Sequence, residues 1–163
     1  MSRAALARTA PEPLSKDRLR LWLKLMRAAG RVEGALRERM RTQNGTTLPR
    51  FDVMATLARH PDGLRMTELS GHLRVSAGNV TGIVDRLVTE GLVDRQAVPG
   101  DRRALRVRMT AAGRTVFAAQ AADHEAWVDE LLGMLGPVDM AELAPHLDAI
   151  AAGPARPAQE AAS

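Results

Sequence analysis

The residues with chemistry to offer in this 163-residue chain are arginines, a few small polar side chains and four scattered histidines. Arg102 and Arg103 follow Asp101 just after a Pro99-Gly100 turn. Ser76, Ala77, Gly78, Asn79, Thr81, Gly82 and Arg86 cluster in one short stretch before it. A guanidinium on a turn suits the minor groove of DNA, where negative potential is concentrated. Asn and Thr suit base edges, and small residues let backbone approach phosphate. These types predict recognition of a polyanion rather than bond-making. The catalytic templates are empty. His124-Glu125 lacks the second His of a metalloprotease helix, no Gly-rich phosphate loop occurs, and no Ser sits in a nucleophile elbow. His60, His72 and His146 are as isolated as His124, and there is no Cys. No catalytic residue, metal site or cofactor is therefore expected.

Each candidate has a plainer role beside the functional one. Asn79 bridges an adenine edge, or it answers a helix cap at Ser76. Thr81 reads a base, and Arg86 reaches phosphate or base unless it pairs with Asp85 or Glu90. Arg103 inserts into a groove, or it belongs to a solvated turn with surface ion pairs. Arg102 faces phosphate or solvent.

These residues need elements to hold them. Asp17 to about Arg41 carries Leu19, Trp22, Leu25, Met26, Ala29, Val32, Leu36 and Met40 in steps of three and four, a helical stripe. Gln43-Asn44-Gly45 ends it. Thr47 is placed to cap a helix with Pro49 in its first turn and Phe51, Met54 and Leu57 inward. His60-Pro61-Asp62-Gly63 reads as a turn. Two short helices follow, Met66–Leu73 and Ser76 to about Glu90, the second with Val80, Ile83, Val84 and Leu87 on its apolar face. That is the punctuation of a helix-turn-helix. Leu92–Val98 has strand character, and Ala104–Met109 alternates, with Leu105, Val107 and Met109 inward and Arg106 and Arg108 outward. A hairpin directly after a recognition helix is a wing. Thr110 caps a long helix to about Leu135, Gly136-Pro137 breaks it, and Met140, Leu143, Leu147 and Ile150 mark a last short helix.

The predicted class is mostly α with a small β-hairpin wing. A winged helix-turn-helix lobe over residues 47–110 adjoins a helical dimerisation lobe, built from residues 15–46 and 111–152. Residues 1–14 and 153–163 read as disordered tails. Residues 1–47 carry a net charge of +7, residues 48–110 +3 and residues 111–163 −6. A basic front and an acidic back suit a polyanion on one face, or pairing of the two ends. No apolar run approaches the roughly 18 residues that span a bilayer. No membrane partner and a cytoplasmic location are expected.

The strings LPRFDVMATLARHPDGLRMTELSGHLRVS, NVTGIVDRLVTEGLVDR and DRRALRVRMTAAGR resemble the MarR family of bacterial winged-helix transcriptional regulators. The last resembles the family's wing signature, an Asp-x-Arg followed by a strand and a Met-Thr-x-x-Gly helix start. The likeness runs over about residues 15–150. Ser70 departs from the Ala common in the first helix of the motif. The absence of Cys excludes the peroxide- and thiol-sensing branches. The resemblance implies a homodimeric repressor on palindromic double-stranded DNA, with Asp101 holding the wing arginine in place. A winged-helix protein–protein module without DNA binding is the alternative.

Within the family, LPRFD, VSAGNVTGIVDRL and HEAW are similar to the branch that controls aromatic-acid catabolism, some members of which answer to hydroxycinnamoyl-CoA thioesters. The resemblance implies an effector pocket where the long helices meet the winged lobe. Trp22, Met26, Arg50, Phe51, His124 and Trp127 are its expected neighbours, for a small aromatic acid or its CoA thioester. The two Trp equally suit a plain core, and His124 a core or dimer interface. Lys24, Arg27, Arg31, Arg37, Arg39, Arg41 and Arg50 suit CoA phosphates, DNA phosphates or a solvated face.

Overall fold

The computed structural model describes residues 13–73, 77–98 and 101–153, and for residues 13, 77, 98 and 101–104 the backbone only. Among the described residues, six helices and three strands follow in the order α1 (Pro13–Gln43), α2 (Leu48–Ala58), β1 (Leu64–Arg65), α3 (Met66–His72), α4 (Ala77–Thr89), β2 (Val93–Val98), β3 (Asp101–Met109), α5 (Ala111–Leu132) and α6 (Pro137–Ala152). The mostly helical class with a hairpin wing is the one expected.

Pro13 and Leu14 belong to helix α1 rather than to a tail. The far end of α1 closes where the Asn44 and Thr46 amides donate to the Met40 carbonyl at 3.3 and 3.1 Å. Thr47 is the N-cap residue of α2 in extended conformation, but its side chain makes no capping bond. The next two residues supply Pro49 and the pre-set backbone that starts the helix.

The winged lobe closes around one core. Val53, Met54 and Leu57 of α2 meet Leu69 of α3, Val80, Val84 and Leu87 of α4, Val93 of β2 and Val107 and Met109 of β3. The sheet order is β1-β3-β2, antiparallel throughout, with Leu64 opposite Val107 and Val93 opposite Met109. Strand β1 has only two residues, too few to show alternation in the sequence. Leu105 departs from expectation: it is 46% exposed, while Val107 and Met109 of the same strand are buried. It pairs with Ala97 toward the far end of the hairpin, beyond the helices that cover the other two. Arg106, expected outward, is half-buried, whereas Arg108 is exposed.

The base of the wing is a tight joint. Gly91 ends the turn after α4 with φ of 70°, a left-handed conformation that favours glycine. The Thr110 amide donates to the Leu92 carbonyl at 3.0 Å, and its hydroxyl donates to the Gly91 carbonyl at 2.7 Å. The same hydroxyl oxygen accepts from the Gly113 amide at 3.0 Å, capping α5. A Cβ on Gly113 would lie 1.9 Å from the Leu92 oxygen. The Met-Thr-x-x-Gly string thus locks α5 onto the wing.

A second core, Leu36 and Met40 of α1 with Phe51 of α2 and Trp127 of α5, joins the long helices to the lobe. Arg39 of α1 grips Glu130 of α5 with two bonds of 2.7 Å. That guanidinium holds the Glu130 carboxyl below its ordinary range. Helix α6 buries none of its residues, and the first half of α1 leaves Leu19, Trp22, Leu23 and Met26 more than half exposed. Among the described residues no helix is long and apolar enough to cross a membrane.

Candidate nucleic-acid interface

Helix α4 is built to present one face. Val80, Val84 and Leu87 are fully buried. At about 100° per residue, the opposite side is centred on Gly78 and Gly82, with Asp85 nearby. Asn79 and Arg86 flank that centre on one side and Thr81 on the other, all exposed. The two glycines leave the middle of the face bare backbone, and among the described residues nothing outside the helix's own backbone lies within 4 Å of either position where a Cβ would stand. A helix meeting a groove needs this arrangement: close approach in the centre and polar side chains at the margins.

The carboxylates that flank Arg86 in sequence, Asp85 and Glu90, are already engaged. Asp85 accepts from Arg95 of β2 at 2.5 Å, and Glu90 pairs with Arg50 of α2. Arg86 has no ion-pair partner among the described residues, which removes the plainer role that Asp85 or Glu90 would have given it. The two ion pairs fix α4 to the wing and to the start of α2. Ser70, the residue that departs from the family's Ala, satisfies its hydroxyl by donating to the Met66 carbonyl at 2.8 Å.

A cleft of about 460 Å³ lies beside this face, lined by Arg41, Thr46, Thr47, Arg50, Asn79 and Arg86 among others. Three guanidinium groups from α1, α2 and α4 thus surround one space. Arg41 also pairs with Glu38 on its own helix, which raises its proton affinity. Thr81 points away, into a smaller hollow with Met66, Thr67 and Ser70 of α3. The candidates of the recognition helix therefore serve two margins, not one patch.

Ser76 lies outside the described residues. Asp101, Arg102 and Arg103 form the start of β3, and their side chains lie outside what is described. The expected Pro99-Gly100 turn is outside it too.

The expected effector residues separate into two groups. Phe51 is buried, its ring stacked on His124 at 4.7 Å and on Phe117 at 5.5 Å. Trp127 is only 7% exposed and belongs to the same core. Asp52 sits next to this cluster. Its carboxyl is pushed above the ordinary range, chiefly by desolvation, with His124 opposing and Glu33 reinforcing the shift. Arg50 is mostly buried and reaches toward Glu90 and the cleft. Trp22 and Met26 are not brought to this cluster within one chain. They precede Leu36 on α1 by fourteen and ten residues, about 21 and 15 Å along the axis. The resemblance groups all six where the long helices meet the winged lobe. It could not show that α1 carries Trp22 and Met26 beyond its contacts with that lobe. Phe117, which stacks on Phe51, was legible only as one member of a helical stripe.

The profile of the MarR family matches residues 44–104, the segment from the α1–α2 turn to the first part of β3. A solved MarR-family transcriptional regulator from Silicibacter pomeroyi is 36% identical, covers 86% of this chain and 96% of its own, and superposes with a TM-score of 0.71. The chain belongs to the MarR family. This MarR-family transcriptional regulator is thus of a family that regulates rather than catalyses. The MarR-family protein Sco3205 of Streptomyces coelicolor, solved in complex with DNA, shares the fold with a TM-score of 0.77 at 24% identity, covering 92% of this chain and 94% of its own. The HTH-type transcriptional regulator MhqR of Bacillus subtilis is 25% identical over 122 residues, 75% of this chain and 83% of its own length.

Proposed function

We propose that this MarR-family chain is a repressor that binds a palindromic operator as a homodimer and leaves it when an aromatic acid or aromatic acyl-CoA binds. The observation that carries the DNA reading is the exposed face of α4, bare at Gly78 and Gly82 and edged by Asn79, Thr81 and Arg86. That Sco3205 was solved with DNA on the same fold supports this reading. Ser76 and the wing residues Asp101, Arg102 and Arg103 complete the proposed contact, with Arg103 in the minor groove and Asp101 orienting it.

Dimerisation is supported by what the single chain leaves uncovered. Trp22 and Met26 of α1 and Val138, Leu147 and Ile150 of α6 are each about half exposed or more. Such an amount of apolar surface marks an interface. The lobe of residues 15–46 and 111–152 is then the dimerisation unit, and residues 47–110 the reading unit. One recognition helix reads too few base pairs, and two-fold symmetry sets a pair of them about one helical turn of DNA apart.

For the effector, Phe51, His124 and Trp127 offer aromatic surface, and Arg50 reaches from it to the basic cleft. Trp22 and Met26 reach a pocket of this kind only from a second subunit. A ligand held here releases DNA by favouring the form whose recognition helices are wrongly spaced. A hundredfold preference is worth about 2.7 kcal/mol per site. The test is a gel shift with the intergenic DNA upstream of the gene, at several salt concentrations, followed by titration of free aromatic acids against their CoA thioesters. A protected palindrome with half-sites about 10 base pairs apart and a steep salt slope supports the reading. Absence of both favours the protein–protein module. Release by neither ligand class removes the aromatic effector and leaves the regulator.

A further inference from the structure

His60 and His72 stand far apart in sequence, one just beyond the end of α2 and the other the last residue of α3. The fold brings their rings to 4.9 Å between centroids, with a tilt of 41° between planes. The Nδ1 atom of His60 lies 2.8 Å from the Thr56 carbonyl oxygen. A carbonyl only accepts, so Nδ1 donates its hydrogen and Nε2 keeps the lone pair of the neutral ring. Donation of one ring N–H to a backbone carbonyl is the arrangement that orients metal-bound imidazoles and makes them better ligands. Two imidazoles on one tetrahedral ion, each bound at about 2.0–2.1 Å, hold their centroids about 5 Å apart. The observed separation matches that span. Neither ring belongs to the proposed DNA face or to the aromatic cluster.

We propose that His60 and His72 form a two-histidine site for zinc or a neighbouring late first-row divalent ion, with water completing the coordination. Imidazole nitrogen suits these metals, and two protein ligands leave open positions, as exchangeable rather than closed structural sites do. The ion clips the end of α2 to the end of α3, immediately before the connection that leads into α4. It binds the folded lobe and not the unfolded chain, so it stabilises the reading unit by mass action. The sequence hides the site because the two histidines match no short ligand motif and meet only once β1 and α3 fold the chain back between them.

The experiment is calorimetric titration of tag-free, full-length protein with zinc chloride and nickel chloride, together with thermal melts. One ion per chain is expected, with the melting temperature raised by roughly 5–10 °C at a hundredfold excess over Kd. His72→Ala, an exposed substitution, keeps the metal-free melting temperature and loses both signals. His60→Ala loses them too. His146→Gln retains them, although His146 makes the same bond to the Glu142 carbonyl on α6. Equal zinc uptake by wild type and His72→Ala, or no uptake by wild type, overturns the proposal.

Discussion

Gly113→Ala is a small change with a large expected effect. The new Cβ would stand 1.9 Å from the Leu92 carbonyl oxygen, 2.8 Å from Met109 Cγ and 2.9 Å from the Leu92 carbonyl carbon. Two of those three atoms are backbone, so no rotamer change relieves the overlap. The Leu92 carbonyl must move by about 1 Å or more for the contact to become an ordinary one. That carbonyl also accepts from the Thr110 amide at 3.0 Å and lies 3.2 Å from the Thr110 hydroxyl. Overpacking of this kind costs about 1–3 kcal/mol, and each hydrogen bond lost about 0.5–1.5 kcal/mol. Ala gains up to about 1 kcal/mol in a helix, which offsets part of it. The net is a destabilisation of about 2–3 kcal/mol, equivalent to roughly 5–10 °C in melting temperature for a chain of this size. The assay is urea and thermal unfolding at one fixed protomer concentration, because dimerisation makes the midpoint concentration-dependent. Operator binding should fall with it, since the joint aims the wing. A Gly113→Ala protein that melts within a degree of wild type would refute the claim that this close approach holds α5 to the wing.

Gly82→Ala acts in the opposite sense on stability: its Cβ meets nothing within 4 Å, so the fold gains about 0.5–1 kcal/mol while operator affinity in a gel shift falls. Arg103→Ala should weaken operator binding by about 1–3 kcal/mol and leave the circular dichroism melt unchanged. Unaltered affinity would show that the wing arginine does not enter the groove. Asn79→Ala should relax base preference at one position of each half-site in a binding-site selection, with little loss of salt dependence. Asp52→Asn tests the raised carboxyl beside His124 and Glu33. A folded-state value above the unfolded one means the acid form is favoured by folding, so this stabilisation is present at low pH and lost as pH rises through the folded value. Asn should therefore be more stable than wild type near neutral pH, the gap closing as pH falls into the carboxylate range. A gap that widens on acidification would contradict the desolvation argument.

Much of the fold was legible because its signals are local. The stripes of α1, α2 and α4 and the cap at Thr110 each depend on neighbours within a turn or two, and each stands where the pattern put it, while α5 stops at Leu132 and Gly133, short of the expected Leu135. What the sequence hid depends on distance. Strand β1 exists because Leu64 and Arg65 pair with Val107 and Arg106 across more than forty residues. Leu105 alternates correctly yet lies where the hairpin has outrun the helices, and alternation reports a side of the strand rather than what covers it. The recognition-helix candidates were readable as exposed polar residues. The division of Asn79 and Arg86 from Thr81 needed the turn angle of α4. The effector group was the least legible, because Trp22 and Met26 can join Phe51 and His124 only if another chain supplies them.

The glycines of α4 and α5 separate what the fold requires from what the fold merely permits. Gly113 is enforced by contact: any side chain there collides with backbone that is already hydrogen-bonded. Gly78 and Gly82 are enforced by nothing among the described residues, since both face open space on an exposed helix. Each gives up about 0.5–1 kcal/mol of helix stability relative to Ala. Two such losses in one thirteen-residue helix have no compensation in packing, because the buried side of α4 is made by Val80, Val84 and Leu87. On the proposed function, the compensation comes from a surface that approaches the bare backbone from outside. A nucleic-acid groove needs that approach, and Arg86, which has no ion-pair partner among the described residues, stands beside it with the paired guanidinium groups of Arg50 and Arg41 lining the same cleft.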